Sequence, residues 1–227
     1  MDLEKLEKKI DLTFKNKTLA RNAFVHRSYL NEHPDFELSS NERLEFLGDA
    51  VLELATSEKL FRKYPNKPEG NLTNIRAALV CTVSLAEESK RLGLGNYLFL
   101  SKGEDDSGGR EREYILANTF EAFLGAIYLD QGYKTCQNFL EKNLFYKVDE
   151  IVKNRKYKDA KSTLQEIAQE EQGITPTYKV LEEWGPDHAK NFRMGVFLND
   201  KQIGGGEGNS KQEGEQAAAQ DALERWQ

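Results

Sequence analysis

The residues best suited to chemistry lie in the segment Asn41-Glu42-Arg43-Leu44-Glu45-Phe46-Leu47-Gly48-Asp49-Ala50-Val51-Leu52. At about 100° per helical residue, Glu42, Glu45, Asp49 and Glu53 project from one narrow stripe. Leu44, Leu47, Val51 and Leu54 take the opposite face. An exposed acidic stripe on an amphipathic helix needs no special function, because like charges one turn apart repel by only a few tenths of a kcal/mol in water. A second segment, Ala117-Asn118-Thr119-Phe120-Glu121-Ala122-Phe123-Leu124-Gly125-Ala126-Ile127-Tyr128-Leu129, is apolar nearly all round yet carries Asn118 and Glu121 on one side. A buried carboxylate must be protonated, paired with a base or bound to metal. If Glu121 faces the acidic stripe, a divalent cation resolves the repulsion. Carboxylate and amide oxygens suit Mg²⁺ or Mn²⁺ rather than zinc. Arg43 or Arg76 as a structural partner of Glu121 stays open beside the metal. One or two such ions can generate hydroxide near neutral pH and stabilise in-line displacement at phosphorus. A histidine acid–base pair and a Walker-type phosphate loop are not apparent.

The elements that position these groups follow from periodicity and breakers. Residues 1 to about 152 read as helices: Thr18 to Tyr29, Asn41 to Lys63, Asn71 to Leu92, Glu113 to Leu129, and a last stretch from Gly132 to about Val152. Pro65-Asn66-Lys67-Pro68-Glu69-Gly70 is a clear break, and Ser101 to Arg110 reads as a surface loop. Nothing there alternates with period two. Lys153-Asn154-Arg155-Lys156-Tyr157-Lys158 is a polar, basic linker. Beyond it the order is α-β-β-β-α. It comprises a helix from Ser162 to Gln172, strands at Thr177–Leu181 and Phe192–Leu198, a third short Gly-rich strand after Asn199-Asp200-Lys201, and a helix from Gln212 to Trp226. Trp184-Gly185-Pro186-Asp187 reads as a turn. The expected fold is an all-α domain over 1–152, a linker over 153–158 and a small α+β domain over 159–227.

Composition limits the function classes. The chain has 227 residues and a net charge of -6, which taken alone argues against a nucleic-acid partner. No run of 18 apolar residues occurs, and Met1-Asp2-Leu3-Glu4-Lys5 is too charged to open a signal peptide, so neither membrane insertion nor secretion is expected. Cys81 and Cys136 form neither a disulfide framework nor a zinc quartet, and the expected location is the cytoplasm.

NERLEFLGDAVL at 41–52 resembles the nuclease motif of ribonuclease III, the family of double-strand-specific RNA endonucleases. His26-Arg27-Ser28-Tyr29, Glu69-Gly70-Asn71-Leu72-Thr73 leading to Arg76, and Leu116 to Asp130 add to the resemblance, which extends over essentially the whole chain. It implies a Mg²⁺ cluster (Mn²⁺ as substitute) held by Glu45, Asp49, Asn118 and Glu121, with Asp49 and Glu121 closest to catalysis. Glu42 and Glu69 match acids near the cleft, and for them a surface or dimer-contact reading stands equally. The resemblance further implies a homodimer of nuclease domains and products with 5′-phosphate and 3′-hydroxyl ends. Precursors of ribosomal, messenger or transfer RNA are the implied substrates. One position departs: the family commonly has aspartate where this chain has Asn118, which removes one negative charge. That departure keeps a rival in view, an inactive nuclease fold that only binds duplex RNA. A second rival is an unrelated Mg²⁺-dependent helical hydrolase of small phosphates.

Residues 159–227 resemble a double-stranded-RNA-binding domain. Ser162, Gln165, Glu166 and Gln169 form one polar helix face of a kind that can read the shallow minor groove of A-form RNA. A solvated face is the ordinary alternative. Gly185-Pro186-Asp187-His188 resembles the family's second minor-groove loop, which assigns Pro186 and His188 to RNA. Ser210 and Lys211 open a helix where backbone N–H groups and an ammonium can meet phosphate. Gln212 stands where the family usually has a second lysine, and residues 153–227 hold 11 Lys and Arg against 13 Asp and Glu. Modest RNA affinity with a shallow salt dependence is expected of this part alone.

Overall fold

The computed structural model describes residues 3–153, 160–186 and 190–226. The chain divides into two compact units, Met1–Tyr157 and Lys158–Gln227.

The first unit is helical: α1 (Leu3–Ile10), α2 (Lys17–Asn22), α3 (Arg27–Glu32), α4 (Glu42–Lys63), α5 (Glu69–Val80), α6 (Thr82–Leu92), α7 (Lys102–Asp106), α8 (Glu113–Gln131), α9 (Tyr133–Asn143) and α10 (Val148–Lys153). Its centre is α8, whose side chains from Ile115 to Ile127 are buried apart from Asn118 and Glu121. Phe120 and Phe123 are fully enclosed, and Phe123 packs its ring against Phe14, Phe24 and Phe139. A helix apolar on all sides must be surrounded, and α4, α6 and α9 supply the cover. Asp130, near the end of α8, accepts the backbone N–H groups of Lys15 and Asn16 at 2.8 Å each, tying the start of the chain to the central helix.

Several expected boundaries are corrected. The stretch from Thr18 to Tyr29 is two helices, not one. Tertiary pairing interrupts it: the Phe99 N–H donates to Phe24 and the His26 N–H to Phe99, around a single parallel bridge between Val25 and Phe99. The helix expected from Asn71 begins earlier, at Glu69 directly after Pro68, and breaks at Cys81, which is extended (φ -67, ψ 157). No glycine or proline announces that break. The stretch from Ser101 to Arg110, expected to be a loop, contains α7, because the Ser101 side chain caps Glu104 N–H at 3.2 Å. Arg110 fixes the stretch by pairing with Asp105 and donating to the carbonyls of Gly95 and Leu98. The expected linker falls almost wholly outside the described residues.

The second unit has α11 (Ala160–Gln172), β1 (Thr177–Trp184), β2 (Asn191–Leu198), β3 (Lys201–Gly208) and α12 (Lys211–Glu224). The sheet is antiparallel in the order β1-β2-β3. Its core joins Leu164 of α11, Met194 and Val196 of β2, and Ala218, Ala219 and Ala222 of α12. β3 is as long as its neighbours, and Trp184 belongs to β1 rather than to the turn after it. Gly185 there has a φ of 97°, a backbone state that L side chains rarely adopt.

Candidate active site

The acids of α4 and α8 come together because the two helices cross at glycines. A Cβ at Gly48 would fall on the Glu121 carbonyl oxygen and lie 2.9 Å from the Gly125 amide; one at Gly125 would collide with the Leu44 carbonyl. With hydrogen at both positions the backbones touch, and the flanking side chains Glu45 and Asp49 face Asn118 and Glu121 across the crossing. Leu44 and Val51 are buried behind them, whereas Leu54, expected on the same apolar face, is exposed.

The electrostatics of Glu121 and Glu45 are unusual. Burial, then the charges of Asp49, Glu45 and Glu53, push the Glu121 carboxyl from its ordinary 4.5 up to about 7. Every charge in that list is negative. Glu45 is also raised, first by burial and then by Glu42, with a side-chain hydrogen bond from Asn118 opposing the rise and Asp49 adding to it. Neither arginine considered as a partner neutralises Glu121. Arg43 is exposed. Arg76 is spent on Glu53, with Nε 2.8 Å from Oε2, and on Ser57 Oγ, also at 2.8 Å. Among the described residues no lysine or arginine is paired with Glu121.

Three carboxylates and an amide oxygen form a hard donor set with a surplus of negative charge, which is the chemistry of a Mg²⁺- or Mn²⁺-type ion. Among the described residues no three His, Cys, Asp or Glu side chains are grouped so that they could hold a metal ion between them. Mg²⁺ does not require such a group, because it is usually held by one or two carboxylates and keeps several waters. The donor set fits such an ion.

Beside Glu45 and Asn118 opens a polar cavity of about 450 Å³, whose lining includes His26, Asn31, Glu42, Glu104 and Tyr114. His26 caps α3 through Nδ1, and Ser28 Oγ accepts the Ser101 N–H at 3.1 Å, so the His26–Tyr29 motif braces this wall. Asn31, Glu104 and Tyr114 come from separate segments, and no spacing in the sequence marks them. Glu42 is exposed at the cavity, where it accepts Ser40 Oγ at 2.8 Å. Glu69 lies elsewhere: it accepts Thr73 Oγ1 at 2.8 Å and lines a separate cavity of about 400 Å³ with Leu54, Phe61, Leu72 and Arg76.

A family model described as "Ribonuclease-III-like" matches residues 16–148. The chain belongs to the ribonuclease III family. A second model, "Double-stranded RNA binding motif", matches residues 160–225. Among curated proteins, "Ribonuclease 3" of Geobacillus kaustophilus (strain HTA426) is 50% identical over 97% of this chain and 89% of its own length. "Ribonuclease 3" of Oceanobacillus iheyensis is 47% identical over 99% of this chain and 98% of its own. A crystal structure of the nuclease domain of ribonuclease III from Campylobacter jejuni is similar to 64% of this chain and 95% of that one, with a TM-score of 0.59 and 38% identity. The chain thus joins a helical region of this nuclease family to a domain of the duplex-RNA-binding kind. That finding overrides the inference from net charge.

In the second unit, Ser162 is half-buried on α11 while Gln165, Glu166 and Gln169 are exposed along it. Gln169 accepts Thr175 Oγ1 at 3.4 Å. Pro186 is exposed; His188 lies outside the described residues. Ser210 caps α12 by accepting the Glu213 N–H at 3.2 Å, and Lys211 Nζ sits 5.7 Å from the Phe192 ring centroid.

Proposed function

We propose that Glu45, Asp49, Asn118 and Glu121 hold Mg²⁺, with Mn²⁺ as a substitute. At that centre the enzyme hydrolyses phosphodiesters of double-stranded RNA to 5′-phosphate and 3′-hydroxyl ends. One observation carries this reading: a carboxyl raised to about 7 by burial and by three neighbouring acids, with no lysine or arginine paired to it among the described residues. Such an ion, when bound, stabilises the charge that develops on the phosphoryl oxygens. The protein's own groups do the rest. Asn118 holds Glu45 in place through its amide, leaving its carbonyl oxygen for the ion. Glu121, whose carboxyl burial and neighbouring acids raise to about 7, would have to be deprotonated to serve as a ligand. Asp49 and Glu121 are the two side chains whose loss abolishes turnover. The cavity that Glu45 and Asn118 line takes the RNA backbone next to the cleaved bond, with Glu42 at its rim as an accessory acid. Glu69, which is not among the acids acting on Glu121, serves the neighbouring surface instead.

Residues 1–152 act as the nuclease domain, 153–158 as the linker and 159–227 as the duplex-binding domain. The α11 stripe of Ser162, Gln165, Glu166 and Gln169 enters one minor groove, the loop carrying Pro186 and His188 the next, and Ser210 with Lys211 meets phosphate between them. Two copies associate through the nuclease domain. Phe46, Leu54 and Phe61 of α4 are 82%, 59% and 73% exposed, and the latter two line a cavity with Leu72 and Arg76. Aromatic and aliphatic groups next to an apolar hollow make a self-complementary two-fold surface. The solved Campylobacter jejuni nuclease domain has a region involved in dimer formation by its own description. Both cysteines are free thiols, in keeping with work in the reducing cytoplasm on ribosomal, messenger and transfer RNA precursors.

The test is incubation of the full chain with long duplex RNA, with and without Mg²⁺, beside Glu121→Gln. Metal-dependent cutting that disappears in the variant, with 5′-phosphate ends on the products, is the expected result. Gel retention without cutting supports a binding protein with an inactive nuclease fold. No binding even at low salt refutes the RNA reading.

A further inference from the structure

Among the described residues, Glu53 is the one acid acting on Glu121 that has a cation of its own. It stands one helical turn beyond Asp49 on α4, on the same stripe, so its charge is directed at the crossing with α8. Arg76 reaches it from α5 and donates at the same time to Ser57 Oγ, while Ser57 Oγ donates to the Glu53 carbonyl at 2.7 Å. The guanidinium therefore grips one turn of α4 at two points, a geometry that suits the planar fork of arginine, while its effect on the centre comes from its charge, which a lysine keeps. Both partners are about a third exposed, Arg76 at 34% and Glu53 at 39%. The pair is thus screened but not cancelled by solvent. At the position where the family commonly supplies aspartate, this chain supplies Asn118, and Glu53 carries a negative charge back toward the same centre.

We propose that Glu53 is a fourth acid of the centre, acting through its charge rather than as a ligand, and that Arg76 sets how strongly that charge attracts a divalent cation. Arg76 is in this sense a positioning residue. The inference deepens the metal-centre reading and rests on it. Its signature is one of sign. Removing Glu53 leaves an unopposed positive charge near the ion and weakens binding; removing Arg76 leaves an unopposed negative charge and strengthens it. A purely structural clamp has no reason to give opposite signs.

The experiment is calorimetric titration of Mg²⁺ into the full chain without RNA, at fixed ionic strength. It compares wild type with Glu53→Gln, Arg76→Met, Arg76→Lys and the double variant Glu53→Gln/Arg76→Met. A unit charge within a Debye length of a dication changes affinity by roughly threefold. The expected pattern is Kd about threefold higher in Glu53→Gln, about threefold lower in Arg76→Met, and near wild type in Arg76→Lys and the double variant. Circular dichroism melts identify any variant that fails to fold, and the charge-preserving Arg76→Lys then carries the comparison with Glu53→Gln. Equal affinities throughout, or weakening in every variant, overturn the proposal. Glu45→Gln and Glu121→Gln in the same series separate the two levels. If they lose Mg²⁺ while Glu53→Gln and Arg76→Met match wild type, the centre stands and the role of the pair is refuted. If they bind Mg²⁺ like wild type, the centre itself is refuted and the proposal falls with it.

Discussion

Replacing Glu121 with glutamine should abolish cleavage and yet stabilise the metal-free protein. A carboxyl moved from 4.5 to about 7 makes its ionised form cost at most roughly 3 kcal/mol, at about 1.4 kcal/mol per pH unit. Residual solvent access to this half-buried side chain reduces that to about 2 kcal/mol. The folded protein holds the Glu121 proton more tightly than the unfolded chain does. The penalty is therefore absent below pH 4.5, grows as pH rises, and is complete above about 7. In EDTA at pH 8 the helical unit of Glu121→Gln should melt about 4–8 °C above wild type, and at pH 4.5 the two should coincide. Adding Mg²⁺ should reverse the order, because only the wild-type centre gains fully from ligand linkage. Differential scanning fluorimetry across pH, with and without Mg²⁺, reads all of this. A variant no more stable than wild type in EDTA at pH 8 would refute the reasoning. So would a gain of the same size at pH 4.5, since charge could not be its cause.

Asn118→Asp restores a carboxylate beside Glu45 and should lower the Mg²⁺ concentration for half-maximal cleavage; an unchanged requirement counts against Asn118 as a ligand. Gly48→Ala drives a methyl group into the Glu121 carbonyl, so it should cost about 3 kcal/mol in urea unfolding and lower activity as the crossing opens. In the core, burial raises the Glu88 carboxyl, but hydrogen bonds from Tyr146, Arg91 and Lys147 outweigh it and hold the group below its ordinary value. Glu88→Gln should therefore cost about 3 kcal/mol at pH 7. The wild-type advantage should fade as the pH falls below 4.5, where the depressed carboxylate stops contributing. In the second unit, Gln212→Lys adds one phosphate contact and should steepen the salt dependence of duplex binding by about one, measured by fluorescence anisotropy.

Much of the fold and of the site is legible in the linear order of residues. The stripe of Glu42, Glu45, Asp49 and Glu53 is a consequence of helical spacing, and the apolar circumference of 116–129 requires a central helix. Alternation and turn residues mark the three strands, and the motif at 41–52 marks the family. These properties are local, so a few neighbouring residues specify them. Other features have no local origin. The split of 18–29 depends on hydrogen bonds to Phe99, more than seventy positions away, and the break at Cys81 carries no breaker. The convergence of two acidic stretches depends on two glycines, 48 and 125, that must be read as a pair. Which arginine meets which acid was open in the sequence, with Arg43 and Arg76 both eligible for Glu121. Tertiary packing gave Arg76 to Glu53 and left Glu121 among like charges. Residue types determined which chemistry was available; the burial and distance that raise one carboxyl to about 7 exist only once α4 lies against α8.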